Sequence, residues 1–257
     1  EQVVQGVVQG MRGGQFDFSP RLLMFTLPFL TNTRAEVTAL LKSDLAKKVC
    51  AEAEKTTGTV IINLCDAGGY RQFSTNAHPI KKPDDLKGLK MRTNGMKTID
   101  MTFRALGATT TTVPYADLYM ALKAGVADGQ ENPWVNVVGM KFYEVQKYFT
   151  GVNYQFHPDP FYVNADWWNS LPEEYRTAIS KAAEEMGDYN DELIDKNSEE
   201  ARQTIIKSGA EVYMPTAEEL KAFQEAAQPV YKQVVDEGIC TQAELDEILA
   251  IVAGAKK

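Results

Sequence analysis

Between Ser170 and Lys207, Tyr175, Ile179, Ala182, Met186, Leu193, Ala201 and Ile205 form an apolar stripe at helical spacing, with no proline past its first turn. Gly187 is the one glycine inside it, an interruption that costs roughly 1 kcal/mol against alanine and is tolerated. Ser170-Leu-Pro-Glu173 has the form of a capping box and marks the expected start. At 1.5 Å per residue such a helix is on the order of 50 Å long, against a breadth of ~30 Å for a small domain. It must either protrude or lie across two bodies, and an apolar stripe favours lying across. The length of 257 residues agrees. Single cores stop growing near ~250–300 residues, so two modest lobes fit better than one large core.

The rest of the chain alternates short apolar strands with amphipathic helices, the pattern of an α/β protein. Val3, Val4, Val7, Val8 and Met11 open it at helical spacing. Thr33-Arg-Ala-Glu36 is a capping box for a helix through Leu40, Leu41, Leu45 and Val49. The β-branched run Thr59–Leu64 predicts a strand, Pro83–Gly88 a helical turn, and Leu89–Thr93 a second strand. Ile99–Leu106 reads as a helix, Thr109–Val113 as a strand and Pro114–Lys123 as a helix, the rhythm of a doubly wound sheet. Beyond the long helix, Thr216-Ala-Glu-Glu219 and Thr241-Gln-Ala-Glu244 each cap one more helix. No repeat or flexible linker separates these segments, so the lobes are expected to exchange chain.

Charge and motif narrow the function. With 27 basic residues against 35 acidic ones, the net charge of −8 argues against binding a phosphate backbone, so no nucleic acid partner is expected. No run approaches the ~20 apolar residues of a membrane-crossing helix, and no direct membrane insertion is expected. There is no G-x-G-x-x-G after a strand, no P-loop, no G-x-S-x-G elbow and no calcium loop. Two isolated histidines, His78 and His157, cannot build a multi-histidine zinc site, so neither metal nor cofactor is expected. Cys50, Cys65 and Cys240 lack metal or redox spacing and read as free thiols. Glu1 is not an initiator, and no export signal is visible, so a processed or shortened chain is expected.

What remains are polar residues at predicted strand ends. Arg71 follows Gly68-Gly-Tyr, Arg92 ends Leu89-Lys-Met, and Gln130-Glu-Asn132 precedes Pro133, a first-turn proline for the next helix. In open α/β sheets ligands sit beyond the carboxyl ends of strands, where these residues would converge. Arginine's planar fork pairs bidentately with a carboxylate. Spacing alone leaves surface ion pairs as the commoner use. It also leaves open an α/β enzyme acting on a small carboxylate, with Asp128 and Glu131 as acid and base.

Seven segments then succeed one another in order: Lys87-Gly-Leu-Lys-Met-Arg92, Phe103-Arg-Ala-Leu-Gly-Ala108, Pro114-Tyr-Ala-Asp-Leu-Tyr119, Ala121-Leu-Lys-Ala-Gly125, Val126-Ala-Asp-Gly-Gln-Glu-Asn-Pro133, Lys141-Phe-Tyr-Glu-Val-Gln-Lys-Tyr148 and Trp168-Asn-Ser-Leu-Pro172. The succession resembles the DctP-like solute-binding proteins of tripartite ATP-independent periplasmic (TRAP) transporters, over roughly Gly10 to Ala253.

The resemblance implies a two-lobed periplasmic receptor with interleaved lobes and a long helix crossing both. It would close on a small organic acid, such as a C4-dicarboxylate or a sugar acid, and deliver it to integral-membrane transporter subunits without catalysis. A monomer is expected, and a sensor ectodomain would share the same binding chemistry. The expected lobes are residues 1–69 with 158–197, and 70–157 with 198–257.

By the same resemblance Arg92 is the main clamp on the substrate carboxylate, Arg71 a second one, Asn132 a ligand contact and Tyr115 part of the pocket wall. Many members read Val-Pro after the clamp, where this chain has Thr93-Asn94-Gly95, and Trp134 after Asn132-Pro133 is individual. Asn94 and Trp134 would suit a hydroxylated acid, or serve as hinge and packing. The resemblance also implies a strand, a helix and a second strand ahead of Glu1.

Overall fold

The computed structural model describes residues 10–12 and 19–255. A short strand, β1 (Gly10–Arg12), and a 3-10 turn over Pro20–Thr26 lead into helices α1 (Arg34–Leu41) and α2 (Asp44–Thr57) and strand β2 (Thr59–Asp66). Next come β3 (Arg71–Thr75), a 3-10 turn over Pro83–Leu86, β4 (Lys90–Thr93), α3 (Lys97–Ala105) and β5 (Thr109–Thr112). They are followed by α4 (Leu118–Lys123), β6 (Gly129–Pro133), α5 (Trp134–Gly139), β7 (Tyr148–Gln155), β8 (Pro158–Asn164) and α6 (Ala165–Ser170). The described chain closes with α7 (Glu173–Lys207), β9 (Glu211–Tyr213), α8 (Ala217–Ala227), α9 (Pro229–Asp236) and α10 (Gln242–Ala255). The helix expected from Val3 lies outside the described residues as far as Gln9, and its end at Met11 is strand instead.

Two sheets result. The smaller, ordered β1-β8-β2, is antiparallel throughout. The larger is ordered β5-β4-β6-β3-β7-β9. In it β5, β4 and β6 run parallel, β3 lies antiparallel to both β6 and β7, and β9 is parallel to β7. It is therefore a mixed sheet, not the parallel one that strand–helix alternation predicts. The strands that break the rhythm are β3, β7 and β8. Every residue of β3, Arg71-Gln-Phe-Ser-Thr75, is buried, yet four of the five are polar. Its polar side chains are satisfied by neighbours, so no apolar run announces it.

Local chemistry sets the helix boundaries. Thr33 and Glu36 form the expected capping box. The single helix predicted beyond it is two, because the Ser43 hydroxyl accepts the Ala46 N–H at 3.1 Å and starts α2 afresh. Thr216 with Glu219, and Thr241 with Glu244, cap α8 and α10 as expected. Between them Pro229, lacking an N–H, opens α9, a helix the spacing does not predict. Ser170 does not cap α7. Its hydroxyl donates to Trp167 O inside the last turn of α6, and Pro172 takes the N-cap position. Pro133 ends β6 and occupies the N-cap position of α5, one step before the expected first turn.

The core is anchored on Phe73, whose ring centroid lies 4.8 Å from Tyr154, 5.2 Å from Phe103 and 6.2 Å from Phe223. A second cluster joins Leu118, Leu122, Trp134, Val137, Phe142 and Phe149 to Ala201 and Ile205 of α7. At its other half α7 packs on β2. The helix thus touches both sheets, as its length requires. Cys50, Cys65 and Cys240 are not joined in disulfides. Among the described residues no helix is long and apolar enough to cross a membrane.

Gly187 marks the closest approach of α7 to the small sheet. A Cβ there would sit 2.5 Å from Asn63 Nδ2 and 3.2 Å from Cys65 Cβ. Asn63 cannot turn aside freely, because its amide donates to Ala183 O at 2.6 Å. The glycine that sequence reading treats as a tolerated flaw is a packing requirement. Gly187→Ala is expected to lower stability by about 1–2 kcal/mol in denaturant titration, overpacking outweighing the ~1 kcal/mol gain in helix propensity. A stabilised variant would contradict this packing.

Candidate ligand-binding site

The carboxyl ends of β4, β5, β6 and β7 meet the start of antiparallel β3 at one end of the large sheet. Arg71 lies opposite Pro133 on one side and Gln155 on the other, while Arg92 pairs in register with Thr111. This brings Arg71, Arg92, Asn132 and the Val113–Tyr115 turn together.

Arg92 is 0% exposed. Its Nε and Nη2 donate to Val113 O at 2.8 and 2.6 Å. Its Nη1 is buried with no partner, the only such side-chain nitrogen or oxygen among the described residues. No carboxylate is bonded to it. Burial pulls its pKa down to about 10 against the attraction of Glu131, and the like charge of Arg71 adds to the depression. A buried guanidinium with an unused donor is a costly arrangement unless an anion completes it.

Arg71 is also buried, but it is answered. Its Nε bonds Glu131 Oε2, and its Nη2 donates to Glu131 Oε1 at 2.8 Å, Glu131 O at 3.0 Å and Asn132 Oδ1 at 3.1 Å. Tyr154 OH donates to Glu131 Oε2 at 2.6 Å, so that carboxylate is held from both sides. Acid attraction raises the Arg71 pKa in spite of the desolvation that opposes it.

From Arg71 a line of buried hydrogen bonds runs both ways. On one side Asn132 Nδ2 donates to Gln130 Oε1 at 2.6 Å, Gln130 Nε2 to Ser74 Oγ at 2.7 Å, and Ser74 Oγ to Gln146 Oε1 at 3.1 Å. On the other, Gln155 Nε2 donates to Thr26 O, which leaves its Oε1 as the acceptor for His157 Nε2 at 3.0 Å. His157 therefore carries its proton on Nε2, and Nδ1 accepts from Arg71 Nη1 at 3.3 Å. Burial, and then the charge of Arg71, hold the His157 pKa well below its ordinary value.

Tyr115 lies partly exposed, 5.9 Å edge-on from Phe142. Burial raises its pKa, while Arg71, a hydrogen bond with Asn136, and Arg92 lower it. Asn94 is exposed and accepts the Met96 N–H at 3.1 Å, closing the turn into α3. Trp134 is buried in the second core cluster, 6.3 Å from the Phe149 ring. Neither is a hydrogen-bond partner of Arg71 or Arg92. A groove of about 740 Å3 lies elsewhere, between α2, β2 and α7, and neither arginine lines it.

Asp128 and Glu131 do not form an acid–base pair. Glu131 is 0% exposed and fully engaged, whereas Asp128 precedes β6 and accepts the Lys90 N–H at 2.8 Å. Sequence reading did not find Glu131 as the counter-ion of Arg71, nor Tyr154, Gln155 and Thr26. The relation depends on strand register, which no spacing in the chain displays.

Residues 1–237 match the family model described as bacterial extracellular solute-binding protein, family 7, DctP. The chain belongs to that family. It is 32% identical over 216 residues to the C4-dicarboxylate-binding periplasmic protein DctP of Rhodobacter capsulatus, covering 83% of this chain and 63% of that protein. A TRAP periplasmic solute-binding protein of Ralstonia eutropha, solved with (S)-2-acetolactate bound, superposes with a TM-score of 0.90 at 30% identity, over 98% of this chain and 82% of that one. One from Shewanella oneidensis with bound succinate gives 0.90 at 25% identity, over 100% and 82%. The architecture is accordingly the two-lobed one of these receptors, with α7 as its long crossing helix. The family is one of solute-binding receptors, not enzymes, which overturns the alternative built on Asp128 and Glu131.

The depressed His157 pKa has a definite sign. Below about pH 6.5 the unfolded chain takes up a proton that the folded state refuses, so His157 contributes stability above that pH that is lost as pH falls. Between pH 6.5 and 5.5 the slope attributable to it approaches about 1.4 kcal/mol per pH unit. His157→Gln, which keeps an acceptor for Arg71 and a donor for Gln155, is expected to flatten that part of the stability profile in denaturant titrations. An unchanged slope would contradict the assignment.

Proposed function

We propose that this chain is the solute-capturing part of a TRAP transporter receptor outside the cytoplasmic membrane, in the periplasm. It takes a small organic acid by its carboxylate and hands it to integral-membrane subunits. The observation that carries this reading is the unpartnered Nη1 of buried, acid-free Arg92. The carboxylates held by the relatives, succinate and acetolactate, support the ligand class.

In this reading Arg92 is the clamp. Arg71 is neutralised by Glu131 and acts as the rigid neighbour that orients Asn132. Tyr115 forms the wall over both arginines, Asn94 shapes the rim, and Trp134 stiffens the floor from within the core. Since Arg92 is sealed, a solute reaches it only when the lobes part, and closure then dries the ion pair and strengthens it. In this reading the first lobe takes the described residues up to 69 with 158–197, around the small sheet, and the second takes 70–157, around the large one. Residues 198–257 rejoin the second lobe through β9, while α10 reaches back to pack on α1. The receptor works as a monomer.

Two measurements test the clamp. A thermal-shift screen over C4-dicarboxylates, sugar acids, keto acids and aromatic acids identifies a solute. Calorimetry with that solute is then expected to show Arg92→Ala weakening affinity by at least roughly 30-fold, the loss of one buried charge pair. Without solute the same variant should melt no lower than the parent, because it removes a buried charge that has no counter-ion. Near-unchanged affinity in the folded variant would overturn the assignment.

A further inference from the structure

Among the described residues the chain passes between the two sheets three times: from β2 to β3 through residues 67–70, from β7 to β8 through residues 156–157, and along α7. One side chain, Arg34 at the start of α1, touches all three passages. Its Nη2 bonds Asp66 Oδ2 at 2.7 Å, at the end of β2. Its Nη2 and Nε clasp Asp195 at 2.6 and 3.1 Å, and its Nη1 reaches Asp191 at 3.2 Å, both on α7. Its guanidinium carbon lies 6.0 Å from the centre of the Phe156 ring, in the second passage.

The parts it joins are themselves linked. Asp66 Oδ1 accepts the N–H groups of Gly68 and Gly69 at 2.8 and 2.5 Å, fixing a turn whose φ values of +137° and +91° only glycine adopts freely. The Asp66 N–H donates to Asp191 at 3.0 Å, and Asn190 donates to Asp66 O at 3.0 Å. Tyr70, at the end of that turn, sets its ring 6.0 Å from Phe156. The arrangement is too widely shared among elements to be a helix-surface ion pair.

We propose that Arg34 is a positioning residue for solute capture: by clasping all three passages at once it sets the angle between the sheets, and hence the population of the closed cleft. Its effect on affinity rests on the receptor reading above, but its effect on geometry does not. The test therefore uses no solute. In the intact protein, with Cys50→Ser to remove the partly buried thiol, spin labels at Lys55→Cys on α2 and Lys123→Cys on α4 report the distance between lobes.

Arg34→Gln is expected to raise the population of a second, differently spaced arrangement roughly tenfold over the parent. Arg34→Lys should recover part of the parent distribution, since lysine keeps the charge and loses the fork. Lys42→Gln removes only exposed pairs to Glu184 and Asp188 of α7, at 3.8 and 3.7 Å, and should leave the distances unchanged. Should Arg34→Gln fail to fold, Asp195→Asn carries the same expectation at the more exposed end of the clasp. A parent-like distribution in Arg34→Gln or its substitute, or an equal shift in Lys42→Gln, would overturn the proposal.

Discussion

Two arginines lie buried at one end of one sheet, and only one of them has an acid to answer it. That inequality organises the site. Arg71 is locked by both oxygens of Glu131, which Tyr154 holds in place, and the resulting neutral unit gives no net attraction to an anion. Arg92, leaning on a single carbonyl at Val113, keeps its positive charge and one nitrogen, Nη1, without a partner. In the proposed function the first pair makes the site rigid, and the second residue makes it selective for negative charge. A protein with a net charge of −8 can bind an organic anion because the field that matters is local and dry.

Rigidity beneath the arginines comes from direction as much as from burial. The hydrogen bonds from Gln146 to Thr26 leave each amide and the imidazole one consistent orientation, so that no member can flip without orphaning its neighbour. The two sheets are joined, among the described residues, by the passages between them. There α7 sits in contact with β2 at a glycine and with the second core at Ala201 and Ile205. A helix so anchored at both halves transmits the position of one sheet to the other.

Much of this architecture is legible in the sequence. The length of α7 follows from an unbroken stripe, and the caps at Thr33, Thr216 and Thr241 follow from local hydrogen-bond chemistry that needs no tertiary context. Arg92 and Arg71 stand out by motif. What stays hidden depends on partners distant in the chain. Strand β3 is buried and polar, and its pattern reads as loop until Gln130, Glu131 and Asn132 are laid beside it. Ser170 has the right spacing for a cap and is taken by the preceding helix instead. Gly187 looks like a weakness in a helix until Asn63 is seen against it. Glu131 looks like a free carboxylate until strand register delivers Arg71 to it.

The most direct measurement of the central claim is a structure of the protein with its own solute, recovered by mass spectrometry from the purified receptor. A solute carboxylate oxygen should lie about 2.7–2.9 Å from Arg92 Nη1, with the Arg71–Glu131 pair intact beside it. A solute bound with Arg92 Nη1 still unpaired, or with Glu131 displaced so that Arg71 takes the carboxylate alone, would contradict the account.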